Sequence, residues 1–198
     1  MSVPRSKKDI QSFLGKINFV RRFIPNFAEL IKHITSMLKN GSEIKWTDAT
    51  RRSFESIKKA IVEAPTLISP DYNKEFHIFS FSSKDTLATI LLQADEEGLE
   101  YLVAFFSKTL RDAELRYDII EKQAYALIKS MKAFKIYIMH SKIIAYVPSA
   151  SVKYVLTQPD ADGRMAKWIA KLIEFNIEFK PTNLVRGQGL ARLLAEEN

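Results

Sequence analysis

Residues 76–107, FHIFSFSSKDTLATILLQADEEGLEYLVAFFS, set the tightest limit on what this chain can fold into. Phe76–Phe81, Thr86–Gln93 and Tyr101–Ser107 are short runs rich in Ile, Leu, Phe, Thr and Val. Ser82-Ser83-Lys84-Asp85 separates the first pair, and the acidic Ala94–Gly98 segment separates the second. Apolar runs of this length between polar turns predict three antiparallel strands in a meander. Two of the runs are apolar enough to be covered on both faces, so helices must come from the flanking sequence.

The amino-terminal flank supplies three of them. Ser6–Ile24 carries Ile10, Phe13, Leu14, Ile17 and Val20 at helical spacing, with Ser6 as N-cap and Pro25 as terminator. Its polar face carries Lys7, Lys8, Lys16, Arg21 and Arg22, which suit either a solvated surface or phosphate contact. Asn26 caps a second helix, Phe27–Leu38, closed by Asn40-Gly41. Thr47 caps a third, with Phe54, Ile57 and Ile61 as its stripe and Ala64-Pro65 as its stop. Pro65–Pro70 is an extended crossing, giving a helical segment over 1–64 and an α/β unit over 65–198.

After the meander, Thr109–Arg116 suits a short helical turn and Asp118–Met139 a long helix with a wide apolar stripe. Lys142–Val147 is a fourth strand and Ser149–Leu156 a short helix. Arg164–Phe175 is a further helix, Ile177–Lys180 a fifth strand and Leu190–Glu196 a last helix. This order predicts an α/β fold, a mixed five-stranded sheet flanked by helices.

A net charge of +7 over 198 residues, with a pI near 9.5, favours a polyanionic partner. With no cysteine, disulfides and Cys-ligated zinc are excluded. No apolar leader and no membrane-length apolar run are expected, so no membrane partner is either. His33, His77 and His140 show no ligand spacing, and Ser82-Ser83 has no activating base. Trp46 and Trp168 read as core.

The element order resembles the ribonuclease H fold, and longer blocks extend the likeness. LGKINFVRRFIPNF (14–27) resembles the stretch after the polymerase core of gypsy-type retrotransposon reverse transcriptases. Residues 44–76 resemble the segment leading into ribonuclease H there; residues 104–138 and 152–181 resemble parts of that domain. The chain is thus identified as similar to a ribonuclease H-like domain preceded by a small helical thumb or connection-like segment. The resemblance implies a piece of a polyprotein that works inside the cell, in a cytoplasmic particle or the nucleus. Its implied partners are an RNA/DNA hybrid or template-primer and the rest of the reverse transcriptase. Plant elements of the Ogre/Tat group, which carry a second ribonuclease H, are similar. No adjacent aspartate pair is present, so polymerase activity is not expected of this chain.

The family cleaves RNA with two Mg²⁺ ions held by four carboxylates. On the resemblance, those positions are Phe81, Gln123, Pro148 and, most loosely aligned, Ala191 or Arg192. Glu121 lies roughly 200° around the helix axis from Gln123, and Asp85, Asp118 and Asp160 are also displaced from the pattern. The expectation is an inactive site with no metal and no cofactor, and a spacer and hybrid guide contacting backbone through Lys7, Lys8, Lys16, Arg21 and Arg22. Arg164 and Lys167 are weaker candidates. The alternatives are an active ribonuclease H drawing on the displaced acids and a protein–protein module.

Overall fold

The computed structural model describes residues 3–18, 20–39, 41–64 and 68–181. Helix α1, Lys7–Asn18, starts with Ser6 Oγ accepting the Asp9 amide at 3.1 Å. Asp9 Oδ2 accepts the Ser6 amide in return at 3.0 Å. The helix stops six residues earlier than Ile24. Asn18 and the β-branched Val20 are weak helix formers, and Pro25 disfavours helical backbone at Ile24. A 3-10 turn, Arg21–Phe23, takes over.

The expected helix 27–38 is broken into α2, Phe27–Leu30, and α3, Lys32–Ser36. Asn26, at φ 47°, makes no side-chain cap. Ser107 Oγ, from the meander, accepts the Ala28 amide at 2.9 Å instead. A cap delivered by another element is invisible to local sequence rules. Helix α4, Asp48–Val62, does start at Thr47, whose Oγ1 accepts the Thr50 amide at 3.3 Å. Ile10, Phe13, Ile17, Ile24, Phe27, Ile34, Phe54 and Ile57 form one core among these helices. Phe54 is its hub, 5.2 Å from the Phe13 ring and 5.5 Å from Trp46.

The meander forms as β1 (Phe76–Ser82), β2 (Thr86–Ala94) and β3 (Glu100–Thr109). A 3-10 turn follows at Asp112–Arg116, then α5, Ile119–Ile138, capped by Asp118 Oδ1 accepting the Glu121 amide at 2.7 Å. The rest is β4 (Ile143–Val147), α6 (Ala150–Thr157), α7 (Gly163–Leu172) and β5 (Ile177–Pro181). The sheet order is β3-β2-β1-β4-β5, with β1–β3 antiparallel and β4 and β5 parallel to β1. The expected helix at 190–196, with Ala191 and Arg192, lies outside the described residues.

Side chains alternate across the strands. Phe76, Ile78, Leu87, Leu91 and Ala104 pack beneath α5 with Leu127, Met131, Phe134 and Ile138. Phe79, Ile90, Leu92 and Phe105 form a separate cluster on the other face, joined by Phe81 and Tyr146. Trp168, from α7, is 5% exposed and packs on Tyr117 and Tyr125.

Glu114 ties β3 to α5, accepting from Lys108 Nζ, Tyr125 OH and the Arg111 amide. Burial pushes its carboxyl up, but those hydrogen bonds outweigh it and hold the group below the ordinary glutamate value. A depressed folded-state value stabilises above the unfolded pKa and is lost as pH falls through the folded one. Wild type is therefore expected to exceed Glu114→Gln by roughly 1 kcal/mol near neutrality, an advantage that fades below about pH 4.5. Urea melts of both chains near neutrality and near pH 3 measure it.

Candidate nuclease site and nucleic-acid interface

The register pairs Phe79 with Tyr146, so Phe81 and Pro148 stand level at the carboxyl ends of β1 and β4. Gln123 reaches the same end from α5. Its Oε1 accepts the Ser82 amide at 2.9 Å and its Nε2 donates to the Ser82 carbonyl at 2.8 Å. Gln123 is 7% exposed and Ser82 fully buried, so this is a closed amide–peptide pair within the fold. Such a pair needs one donor and one acceptor on the same side chain, which a carboxylate lacks. Phe81 turns to the other face of β1, half-buried against the Phe79 cluster. Pro148 precedes Ser149, whose Oγ caps α6 by accepting the Val152 amide at 3.3 Å.

The displaced acids have other attachments. Asp85 bonds Lys32 Nζ at 2.8 Å, and Lys32 also reaches Glu29 at 3.1 Å. That contact with Asp85 raises the Lys32 pKa above its usual value despite partial desolvation. Asp118 is the α5 cap, and Glu121 pairs with Arg164, whose guanidinium lies 4.2 Å from the Tyr117 ring centre. Asp160 is exposed in the turn before α7. Among the described residues no three His, Asp or Glu side chains are grouped to hold a metal ion. His77 lies between Glu75, at 3.3 Å, and Glu100, at 3.7 Å, against the Tyr146 ring.

The five expected phosphate-contacting cations do not share one helix face. Lys7, Lys8 and Lys16 are exposed on α1, with Lys7 Nζ 3.4 Å from the Lys39 carbonyl. Arg21 and Arg22 leave that helix at its early stop. Arg22 Nη1 donates to Tyr137 OH on α5 at 2.7 Å, and the Arg21 guanidinium lies 5.9 Å from the Phe106 ring centre. Lys129 and Lys132 of α5 border the same groove. Sequence reading missed this grouping. The spacing of Lys129 and Lys132 puts both on one side of α5, but only tertiary packing brings Arg21 and Arg22 beside them. Lys167 is exposed on α7.

A mixed sheet of this order, with a long helix across its first strands, defines a ribonuclease H-like domain. Residues 46–145 match the model of the RNase H-like domain found in reverse transcriptase, and the chain belongs to that family. It is 28% identical over 186 residues to the Transposon Tf2-3 polyprotein of Schizosaccharomyces pombe, covering 88% of this chain and 13% of that protein. The Tf2-4 polyprotein of the same organism matches equally. The chain thus spans about an eighth of the length of these relatives, 13%. Among solved structures, the foamy viral protease-reverse transcriptase in complex with dsDNA matches at 27% identity and a TM-score of 0.75, covering 93% of this chain and 40% of that one. The same protein in complex with RNA/DNA hybrid matches at 26% identity and a TM-score of 0.78, covering 94% and 26%. No helix among the described residues is long and apolar enough to cross a membrane.

Proposed function

We propose that this chain is the ribonuclease H-like part of an intracellular retrotransposon reverse transcriptase polyprotein, one whose nuclease position no longer cuts. It acts as a spacer and as a guide for RNA/DNA hybrid or template-primer. The observation that carries the reading is the Gln123–Ser82 pair. A hard divalent ion needs several oxygens, most of them charged, converging on one point. Phe81 and Pro148 bring no side-chain oxygen, and the one oxygen of the Gln123 amide accepts a backbone N–H. The residues present do not fit the Mg²⁺ pair of the family, and no hydrolytic step is derived through it.

Grouped carboxylates repel one another when no metal is bound. Phe, Gln and Pro remove that repulsion and add packing and a neutral hydrogen-bond pair. The periodicity of every described helix and strand is retained around them, which supports a domain kept for its shape. Lys7, Lys8 and Lys16 are the side chains freest to contact phosphates, giving sequence-independent, salt-sensitive affinity.

The test is a labelled RNA–DNA hybrid incubated with the chain, with and without Mg²⁺ or Mn²⁺, at two salt concentrations. Expected is binding that weakens as salt rises, with the RNA strand left intact. Cleavage that depends on metal would overturn the inactive-site reading and restore the alternative of an active ribonuclease H. Replacing Lys7, Lys8 and Lys16 together by Gln is expected to weaken binding and flatten the log–log salt slope by about three. An unchanged slope would remove α1 from the interface.

A further inference from the structure

Where the amino-terminal helices meet α5, the fold leaves a groove of ≈ 480 Å³ between the Arg21–Phe23 turn, β3 and α5. Its rim carries four cations, Arg21, Arg22, Lys129 and Lys132, and its lining contains no carboxylate. None of the four makes an ion pair among the described residues; Arg22 meets a tyrosine hydroxyl and Lys129 the Tyr125 ring at 4.9 Å. Some other lysines near this sheet, Lys108, Lys135 and Lys142 among them, do pair with a glutamate. The floor is apolar, with Phe106 at its base and Ile136 77% exposed on the α5 side.

We propose that this groove docks a peptide segment of a partner protein in which a bulky apolar side chain is flanked by Asp or Glu. Two observations select this occupant. Unneutralised like charges crowded on one rim favour an anionic partner. Lys129 is held below the usual lysine value first by desolvation and then by Lys108, partly offset by Glu114, so a further carboxylate there would counter the repulsion from Lys108 and Lys132. Charge alone would also suit a nucleic-acid backbone, but phosphates gain nothing from Ile136 and the Phe106 floor. An apolar anchor does, and burying it between charged flanks is the usual construction of a peptide groove. The volume lies in the range of clefts that take a small ligand or a short stretch of peptide. The inference is independent of whether the nuclease position is active, since none of these residues belongs to it.

The probe is a fluorescein-labelled amphipathic peptide with Leu and Phe on one face and Glu on its flanks. A copy with Lys for Glu and the labelled RNA–DNA hybrid serve as comparisons. Each is titrated against the full chain and against two variants, Ile136→Glu and the double variant Lys129→Glu with Lys132→Glu. The three replaced side chains reach solvent, and matching thermal melts confirm the fold. Expected is binding of the acidic peptide but not its Lys copy, a roughly tenfold loss in each variant, and no displacement by the hybrid. No binding, equal binding of both peptides, or insensitivity to Ile136→Glu would overturn the proposal. Hybrid that competes with the peptide and is lost in the double-lysine variant would overturn it in favour of nucleic acid. Self-association abolished by Ile136→Glu would overturn it in favour of a second copy of this chain.

Discussion

Replacing Gln123 by leucine is expected to lower the unfolding free energy by about 2–4 kcal/mol, although leucine matches glutamine in size and suits a buried helix position. The loss comes from the strand. Ser82 keeps its N–H and C=O at a fully buried point with both partners removed, and each unsatisfied buried group costs roughly 1–3 kcal/mol. Gln123→Glu separates the two halves of the pair. Glutamate still accepts the Ser82 N–H but sets a charged oxygen against the Ser82 carbonyl. Its folded-state pKa therefore rises above the unfolded one. The penalty is absent below the unfolded value and complete above the folded one, so this variant should recover stability on acidification. Urea melts at several pH values measure both changes. A Gln123→Glu chain as stable as wild type at neutral pH would mean that the position still accommodates a carboxylate, and the case for an abandoned metal site would fail with it.

The strands and α5 were legible because each rests on local information. The three meander runs sit between strong turn signals, and their observed limits differ from the expected ones by no more than two residues. Asp118 and Glu121 cap α5 as a capping box written in the sequence. That Phe81, Gln123 and Pro148 stand where the family likeness expects carboxylates is a reading of the sequence alone, and it gave no hint of what the Gln123 amide does in the fold. Nothing local says that the Gln123 amide meets the backbone of a residue 41 positions away. The same holds for Ser107 capping α2 and for Arg22 reaching Tyr137. The early end of α1 was missed because Ile10, Phe13 and Ile17 continue in phase to Ile24, although the residues between favour a tighter turn. Periodicity reports which side is buried and says less about whether the backbone stays helical.

Phe81→Asp, which returns an acid to the first family position, is expected to cost about 2–4 kcal/mol at neutral pH and to bring no nuclease activity. Phe81 is half-buried against Phe79, Ile90, Leu92 and Phe105, so the change removes aromatic packing and puts a carboxylate beside that cluster. Desolvation raises the new group's folded-state pKa above its unfolded value. Part of the loss should accordingly be absent below the unfolded pKa and appear as pH rises past it, whereas Phe81→Ala should lose its share at every pH. Magnesium separates a packing defect from a dormant site. One carboxylate on the face of β1 turned away from the Gln123 amide, with only Pro148 level with it, supplies too few oxygens for the ion, so millimolar Mg²⁺ should leave the melting temperature of Phe81→Asp where it is. An Mg²⁺-dependent rise in this variant but not in wild type would show that ligands still converge at the ends of β1 and β4. The proposed loss of cutting would then rest on that single side chain.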